Sequence, residues 1–350
     1  MGLGPVLSGF LLAHFWWGSV FLVNLPAMAL LMVAGPMLLP QSEPRPGRTF
    51  DVVSSVLSLG AVLPAVYGIK QWATQGTDAR WIGCIAIGLV LGVVFARRQQ
   101  RHRDPMIAPA LLRNRRFRAA LAGNLVCAFA LIGNAVFMTG YLQLVLGYDA
   151  LEAAWWSLVP TVAVGFSAPF AASLGQRFGR ARVAAGGLVV GAVGFVVLTT
   201  IGTGSLVATL IGGGTLAAGL VLTMTICSEL VLAALSPEEA GAGAAVSEAA
   251  SELGGALGIA VLGSIGAAAY HASAAAHLPP AVAHGPAGES LPGALSVASH
   301  RADAAALIDV ARTAYVHGLH VAAVVGAVVL FLTAVAAWRG SRLAESMISR

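Results

Sequence analysis

Apolar runs of about 20 residues recur along almost the whole chain, and they limit the possible folds more than any other feature. One crossing of a bilayer core needs about 20 residues at 1.5 Å rise per residue. Of the 350 residues, 58% are hydrophobic and 10% are charged, whereas a soluble globular protein is about 25% charged. The sequence therefore predicts an all-α, polytopic helical membrane protein and excludes a soluble enzyme, a disordered tail and a nucleic-acid binder.

The apolar runs divide into one half-length segment, A, and nine full spans, B to J. The predicted bounds are Gly2–Ala13 (A), Trp17–Leu39 (B), Val52–Trp72 (C), Trp81–Ala96 (D), Ala119–Leu142 (E), Ala154–Leu174 (F), Val183–Ile201 (G), Leu206–Leu235 (H), Ala242–Tyr270 (I) and Tyr315–Trp338 (J). Spans H and I are long for one bilayer, so we expect them to tilt or to project from it.

The basic residues predict the orientation. One set of loops, together with the C-terminal tail, holds 16 Arg, and the opposite set holds four Lys or Arg. The positive-inside rule then places the Arg-rich set and the C-terminus in the cytoplasm, as in a multi-pass protein of the cell membrane. The seven Trp fall near predicted span ends, where an aromatic belt is expected. These loops account for the pI near 9.6 without a nucleic-acid partner.

Two loops stand out. The basic stretch 97–118 contains DPMIAPALLRNRRF, which we interpret as a short surface helix under the cytoplasmic face. The stretch 271–314 is rich in Ala, His, Gly and Pro and is predicted to face outside. A weakly ordered connector is the first expectation for 271–314, and a cap over an exit path is the alternative.

The cysteines and polar residues give no sign of metal or covalent chemistry. Cys84, Cys127 and Cys227 lie inside apolar runs and have neither CxxC nor zinc spacing. No nucleophile and base are paired along the chain, which argues against a membrane enzyme. We expect no disulfide framework, no metal and no cofactor.

Three acidic residues lie inside predicted spans: Glu229 in H, and Glu248 with Glu252 in I. Placing an acid at the centre of a span costs about 2.5–3.5 kcal/mol of insertion free energy, so an acid there indicates a structural or functional role. Glu248 and Glu252 are one turn apart and share a face, and counting from Ala242 puts Glu252 about 15 Å along span I, near the midplane. A desolvated carboxyl can hold either a proton or a lipophilic cation and so couple the two flows. Hydrogen bonding as neutral acids across helices is the alternative.

Polar residues of span E are candidates for the same path. Asn124, Asn134 and Gln143 lie in or at the end of this span and could face the acids. Their alternative role is to join neighbouring helices by hydrogen bonds.

Segment A and the start of span B carry a Gly-Pro pattern. Gly4 and Pro5, together with Gly9, predict a kinked helix with a small face that a neighbour can approach closely. Asn24 and Pro26 follow inside span B. Ordinary helix packing would also explain these residues.

The short turn between spans F and G reads LGQRFGRARV. Arg177, Gly179 and Arg180 form a tight glycine turn with clustered positive charge. The arrangement fits a cytoplasmic gate loop whose charges lock helix ends together, and topology signalling alone is the alternative.

Five stretches of the chain together resemble a known family. They are GPVLSG at 4–9, WGSVFLVNLP at 17–26, FDVVSSVLSLGAVLPAVYGIK at 50–70, YLQLVLGYDALEA at 141–153 and SPEEAGAGAAVSEAASELGGALGIAVLGSI at 236–265. The chain resembles the fourteen-helix drug:proton antiporters of the major facilitator superfamily, within the quaternary-ammonium and multidrug efflux group. Ser8 and Gln176 depart from the family pattern, which usually has Gly and often has Asp at these positions.

The resemblance implies a domain organisation. Segments A to J correspond to helices five to fourteen, so we expect an N-terminally truncated chain that lacks the first four helices of the major facilitator fold. Residues 1–39 would be a remnant of the N-terminal bundle, 40–118 a two-helix insert with a basic linker, and 119–350 the C-terminal six-helix bundle with its 271–314 loop.

The resemblance also implies a function. Acids in the stretch that holds Glu248 and Glu252 are implicated in cation recognition among these exporters. We expect proton-coupled efflux of lipophilic cationic drugs by alternating access, with lipophilic cationic small molecules, protons and membrane lipid as partners. Two alternatives remain open: a non-transporting remnant, and a permease of the same fold for a sugar, metabolite or lipid. Because half of the path would be absent, we expect these residues alone to insert without raising dye tolerance.

The predicted orientation can be tested by labelling single cysteines in a cysteine-free background. Arg103→Cys should react with a membrane-impermeant thiol reagent only after the cells are opened, because the basic loop 97–118 is expected inside. Labelling of this position in intact cells would contradict the orientation.

Overall fold

The computed structural model describes residues 3–38, 51–75, 78–101, 113–236, 240–299, 301 and 303–348, and the secondary structure within them is entirely helical. The helices in chain order are α1 Leu3–His14, α2 Ser19–Leu22, α3 Asn24–Leu38, α4 Val52–Gln75, α5 Ala79–Arg101, α6 Arg115–Gly140, α7 Ala150–Phe178, α8 Arg180–Leu198, α9 Leu206–Ala233, α10 Ala240–His277, α11 Pro280–Ala283, α12 Pro286–Glu289, α13 Leu291–Ala298 and α14 Ala304–Ile348. A π-helical turn, Tyr141–Val145, continues α6.

The prediction of an all-α, polytopic membrane protein is confirmed. Eight helical stretches among the described residues are long and apolar enough to cross a membrane, and they cover spans B to E and G to J. Helix α7 corresponds to span F, and its 29 residues measure about 44 Å at 1.5 Å per residue. Helices α9 and α10 have 28 and 38 residues, so both exceed the roughly 20 that one crossing needs.

Helices α6 to α10 and α14 pack into one bundle. Helix α9 contacts α8, α7 and α6, while α10 lies between α6 and α14, and α14 also packs on α8. One continuous hydrophobic cluster runs through α6, α8, α9, α10 and α14 and includes Tyr141, Phe195, Leu216, Leu262 and Leu330.

Glycines bring the backbones of α6 and α10 together. A Cβ at Gly254 would overlap the carbonyl of Leu125, and a Cβ at Gly258 would overlap that of Phe129. Gly133 on α6 faces Gly258 in return, 3.0 Å from the Gly258 carbonyl to a Cβ placed there. Small residues allow such close packing in membranes, where burial of apolar surface does not drive helices together. These contacts show that the two helices run parallel. A step of four residues along α6, from Leu125 to Phe129, corresponds to a step of four residues along α10, from Gly254 to Gly258.

Helices α4 and α5 form a hairpin of their own, which lies against α10 through α4. Gly68 and Gly88 allow the two helices to touch: a Cβ at Gly68 would lie 2.7 Å from the carbonyl of Trp81, and one at Gly88 would lie 2.6 Å from that of Ala61. The helices predicted as spans C and D are thus a tightly paired unit. The division of the chain into domains at 39 and 118 remains a prediction.

Span B was expected as one helix, and the structure divides it. Helix α2 ends at Leu22 and α3 begins at Asn24. Pro26 has no backbone N–H, and its ring clashes with the carbonyl of the residue four positions earlier, which is Leu22. The proline therefore explains where the first part of the span ends.

The expectation of a weakly ordered connector over 271–314 is wrong for its described residues. Helix α10 continues to His277, α11 to α13 follow, and α14 begins at Ala304. Leu291 and Ala294 of α13 are buried in the central hydrophobic cluster, and the Tyr270 hydroxyl donates to the carbonyl of Ala287 at 2.8 Å. The many Ala, Gly and Pro residues allow short helices to pack closely, so this stretch is a folded cap on one end of the bundle.

The surface helix predicted within 97–118 lies mainly on residues 102–112, which are outside the described residues. Helix α5 reaches Arg101, and α6 begins at Arg115. The Asn114 side chain caps α6 by accepting from the backbone N–H groups of Arg116 and Phe117. Capping of this kind satisfies two donors that the helix itself leaves unpaired.

Enlarging one glycine tests the contact between α6 and α10. Gly258→Ala should lower the free energy of unfolding by about 1–3 kcal/mol, because the added methyl meets a backbone carbonyl that cannot move aside. Gly263→Ala on the same helix is the control, since a Cβ there has nothing within 4 Å. Thermal unfolding of the purified protein in detergent measures both, and equal melting temperatures would contradict the packing described.

Candidate functional site

Helices α6, α9 and α10 converge near the end of the bundle from which α6 starts. Gly123 on α6 faces Cys227 on α9, with a Cβ at Gly123 lying 2.6 Å from the Cys227 sulfur. The neighbouring residue, Asn124, faces α10 and donates through Nδ2 to Oγ of Ser247 at 2.8 Å. We refer to this level of the bundle, which is defined by Gly123, Cys227 and Ser247, as the polar layer.

Asn124 is the predicted path residue that lies within the polar layer. It is 1% exposed, and its Oδ1 atom has no hydrogen-bond partner in the part of the chain that the structure describes. A buried acceptor without a partner costs about 1–3 kcal/mol. The free acceptor is therefore available to a proton donor or a cation that enters this layer.

Glu248 and Glu252 lie on α10 next to this contact. Both side chains are exposed. Glu252 comes two residues, roughly 3 Å along the helix, before Gly254, which packs on Leu125. Glu248 and Glu252 therefore lie at the same height along the bundle as Gly123 and the residues of α6 just before it.

The depth expected for Glu252 in the membrane stays a prediction. Helix α10 begins at Ala240 and has 38 residues, so the middle of the helix lies near Gly258 and Glu252 precedes it. Along the bundle, Glu252 is level with the first third of α6.

Glu229 faces different neighbours. Its Oε2 lies 3.6 Å from Nε of Arg180, and both side chains are partly exposed. Arg180 is the first residue of α8, directly after Gly179, whose φ of 89° makes the sharp turn from α7. The predicted gate loop thus contacts α9 through an ion pair that uses one of the three predicted intramembrane acids.

Arg177, the other arginine predicted in this turn, does not share that contact. Its guanidinium carbon lies 5.4 Å from the centroid of the Phe178 ring, a distance at which the ring face attracts the cation. Gln176 is exposed. The two arginines of the turn therefore have different partners, a carboxylate for one and an aromatic ring for the other.

Asn134 and Gln143 are not brought to the acids. Asn134 is buried on α6 at 7% exposure, ten residues or about 15 Å along the helix from Asn124. Gln143 is exposed in the π-helical turn at the other end of α6. Of the three predicted path residues, the structure brings Asn124 alone to the polar layer.

The Gly-Pro pattern of α1 meets α7. Gly9 is buried, and a Cβ there would lie 2.9 Å from the carbonyl of Ala150. Gly4 faces open space, and Pro5 lies within α1, where its side chain is outside the described residues. Asn24 and Pro26 are exposed at the start of α3. The close approach predicted for this pattern is therefore made by Gly9.

The sequence analysis missed a polar clamp between α4 and α5. Asp51 stands directly before α4, accepts from the backbone N–H and the hydroxyl of Ser54, and pairs with Arg98 of α5 at 3.1 Å. Gln99, buried beside Arg98, donates to Oγ of Ser54 at 2.9 Å. The signal was present as an Asp before a helix followed by Ser three residues later, a helix-start pattern.

The hydrogen bonds from Ser54, followed by the charge of Arg98, hold the pKa of Asp51 well below its usual range. A lowered pKa contributes stability above the unfolded value, which is about 3.9, and that contribution is lost only as the pH falls towards the folded value. The clamp is therefore charged and intact throughout the neutral range.

A second set of missed contacts surrounds the π-helical turn. Tyr315 donates to the carbonyl of Phe137 at 3.2 Å, and Arg312 donates to that of Leu144 at 3.2 Å. The Tyr141 hydroxyl donates to the carbonyl of Gly202 at 2.6 Å. A π-turn shifts the backbone hydrogen bonds and frees carbonyls, and side chains of α14 reach two carbonyls in and beside this turn. No local sequence pattern indicates these long-range partners.

The described residues contain no group of three or more His, Cys, Asp or Glu side chains that could hold a metal ion. Taken together, the arrangement is a helical bundle with carboxylates in one layer at one end.

Comparison with known proteins agrees with this architecture. The family described as "MFS/sugar transport protein" matches residues 13–284. The multidrug efflux pump LfrA of Mycolicibacterium smegmatis is 36% identical over 338 residues, which are 95% of this chain and 67% of that protein. The methyl viologen resistance protein SmvA of Salmonella typhimurium is 31% identical over 345 residues, or 96% of this chain and 69% of that protein.

The chain therefore belongs to the major facilitator superfamily of membrane transporters. It is a multi-pass membrane protein and a transporter rather than an enzyme, as the sequence predicted. The more distant tetracenomycin C resistance and export protein of Streptomyces glaucescens is 29% identical and matches 74% of this chain and 49% of its own length.

A double-mutant cycle tests the contact between Arg180 and Glu229. Arg180→Gln and Glu229→Gln should each lower the melting temperature, and the double variant should lose less than the sum. The coupling should be about 0.5 kcal/mol, because a partly exposed pair is screened by solvent, and it should shrink in 1 M salt. The control cycle combines Arg177→Gln with Glu229→Gln and should be additive; coupling of equal size in both cycles would contradict a specific pair.

Proposed function

We propose that this protein exports lipophilic cations from the cell in exchange for protons, and that Glu252 binds both. The observation that carries the proposal is the placement of Glu252 and Glu248 one turn apart on α10, beside the buried Asn124–Ser247 contact. The names of the relatives support drug efflux, since LfrA is named a multidrug efflux pump and SmvA a methyl viologen resistance protein.

A carboxylate inside a span is expensive unless it has a function. An acid within a membrane span carries an insertion cost that is largest, about 2.5–3.5 kcal/mol, at the centre of the span and smaller towards its ends, and two acids on one face add like-charge repulsion. A cation bound between them relieves both costs, and so does a proton on either one. Because one carboxylate cannot hold both at once, proton entry from outside releases the drug and the cycle couples the two flows.

Two carboxylates one turn apart suit a dication. Methyl viologen carries two positive charges, and the relative SmvA is named for resistance to it. In this chain the side chains of Glu248 and Glu252 would each face one charge of such a substrate. A monovalent dye needs only one of them, which predicts that the two acids differ in importance between substrates.

Asn124 positions the site from the neighbouring helix. Its amide holds Ser247, the residue directly before Glu248, at 2.8 Å, and Oδ1 remains as an acceptor facing the interface of α6 and α10. A protonated carboxyl is a donor, whereas an ionised one is not. The free Oδ1 acceptor of Asn124 would therefore favour the state in which a carboxyl group at this level is protonated.

Glu229 would stabilise the gate loop and would not bind the substrate. Its pairing with Arg180 joins the α7–α8 turn to α9. In alternating access the bundles rock about the central site, so a turn fixed to its own bundle moves as one body with it. We place this turn and the C-terminus on the cytoplasmic side of the cell membrane, following the distribution of arginine.

The decisive experiment measures pH-gradient-driven uptake of an ethidium-like dye into inverted vesicles, which corresponds to efflux from the cell, with the four missing helices of the family restored at the N-terminus of the chain. Glu252→Gln keeps shape and hydrogen-bonding capacity but removes the charge and the exchangeable proton. Hydrogen bonds to a charged group are worth about 1.5–3 kcal/mol, so dye efflux should fall roughly tenfold or more. Glu252→Asp should keep part of it.

Two further variants sharpen the test. Glu248→Gln should reduce export of a dication such as methyl viologen more than export of a monovalent dye. Glu289→Gln, an exposed acid in the cap, is the matched control and should be silent. Wild-type efflux by Glu252→Gln at normal membrane abundance would remove this residue from the mechanism.

A further inference from the structure

Three aromatic side chains, Trp16, Trp17 and Phe21, meet where the chain passes from α1 to α3. The ring centroids of Trp16 and Trp17 are 5.8 Å apart, and the ring planes make an angle of 83°. The ring centroids of Trp17 and Phe21 are 6.2 Å apart, with an angle of 85° between the planes. Trp17 therefore stands at right angles to both other rings, and we refer to the three rings as the aromatic corner.

Gly18 allows the corner to form. A Cβ at this position would overlap the ring of Trp16, and Gly18 itself is buried. The three rings remain accessible, because Trp16, Trp17 and Phe21 are 61%, 71% and 67% exposed. The glycine thus lets one ring lie against the backbone while the faces of the corner stay open to a ligand.

The angle between the rings distinguishes the corner from other aromatic side chains near the span ends. Trp156 at the start of α7 lies almost parallel to Tyr148, with centroids 6.4 Å apart and planes at 26°. Stacked rings cover each other's faces, whereas perpendicular rings leave two faces open at a right angle. An aromatic belt explains why tryptophan lies at the membrane surface, but it does not explain this arrangement.

The electrostatics of the corner favour a cation. The face of an aromatic ring carries negative potential, and a cation about 4 Å from both planes of a perpendicular pair lies within roughly 6 Å of both centroids, the range of cation–π attraction. Residues 1–42 contain no Lys, Arg, Asp or Glu, so this stretch has no permanently charged side chain of its own. His14 stacks on Phe10 instead, with centroids 4.5 Å apart.

We propose that the aromatic corner is a second binding site for lipophilic cations, and that it holds a free quaternary ammonium ligand between perpendicular ring faces. The ligand class rests on the proposed function, whereas the corner is formed without Glu248 and Glu252. A quaternary ammonium group has no N–H donors, so it loses no hydrogen bonds to water against the rings, and aromatic cages recognise such groups. Helix α3 leads towards Arg45 and Arg48, which are predicted inside, so the corner is predicted on the outer side, where an exported cation leaves.

The test uses the full chain with fluorine-labelled tryptophan in nanodiscs of phosphatidylglycerol, a lipid without choline. Benzyltrimethylammonium is the probe, and neopentylbenzene, which has the same shape without the charge, is the control ligand. The fluorine NMR signals of Trp16 and Trp17 should shift saturably with the probe and not with neopentylbenzene, and the signal of the exposed Trp155 should stay unchanged. Equal shifts at all three tryptophans, or equal shifts with both ligands, would mean simple partition into the interface and would overturn the proposal.

Two variants with matched controls change the corner in different ways. Gly18→Ala displaces the ring of Trp16 without removing it and should weaken probe binding about two- to fivefold, the share of one exposed cation–π contact. Gly4→Ala is its control, because a Cβ there meets nothing within 4 Å. Trp17→Leu removes the ring shared by both perpendicular pairs and should weaken binding about fivefold or more, whereas Trp155→Leu should not. Unchanged affinity in both Gly18→Ala and Trp17→Leu would overturn the proposal.

Two further measurements separate the corner from the acids and from lipid. Glu252→Gln should show the same probe-induced shifts as the unmodified protein, so a failure of the export proposal and a failure of the corner give different results. Loss of the shifts at Trp16 and Trp17 in this variant would make the corner a secondary effect of binding at the acids. Phosphatidylcholine in place of phosphatidylglycerol should leave both signals unchanged without the probe; shifts caused by this lipid alone would assign the corner to a choline headgroup and overturn the proposal.

Discussion

The backbone contact between α6 and α10 is the interaction on which the candidate site depends. Association of apolar helices in lipid gains little from burial, so it relies on close packing, and glycine is the residue that permits backbones to touch. Gly254 and Gly258 fix the register of the two helices, and this register brings Asn124 to Ser247 and sets the level of Glu252 along the bundle. A change of one turn would move the carboxylates about 5 Å along the bundle.

The three acids predicted to lie in the membrane are the same type of residue, but the structure gives them different neighbours. Glu229 has Arg180 within ion-pair distance, which suits a fixed structural contact at the turn between α7 and α8. Glu248 and Glu252 are exposed on α10, which suits exchange with a mobile cation or proton. A carboxylate that is already paired has little to gain from a substrate, whereas an exposed one can change its partner.

The two ends of the bundle are built differently. At the end of α6 that carries the π-turn, Tyr141, Arg312 and Tyr315 donate to backbone carbonyls, and the short helices α11 to α13 are packed into the core. The opposite end carries the exposed carboxylates of α10 and the glycine turn between α7 and α8. The first end is thus held together by side-chain contacts, whereas the second presents exposed charged groups.

The sequence by itself determined the helical spans and the transporter family. These features are local, because hydropathy over 20 residues and short motifs are read from neighbouring positions. The tertiary structure decided the pairing of Glu229, the isolation of Gln143, the break of span B after Leu22 and the folding of the cap. Most of these features depend on residues far apart in the chain, such as Asn124 and Ser247 at a separation of 123, and a one-dimensional pattern carries no information about which helix faces will meet.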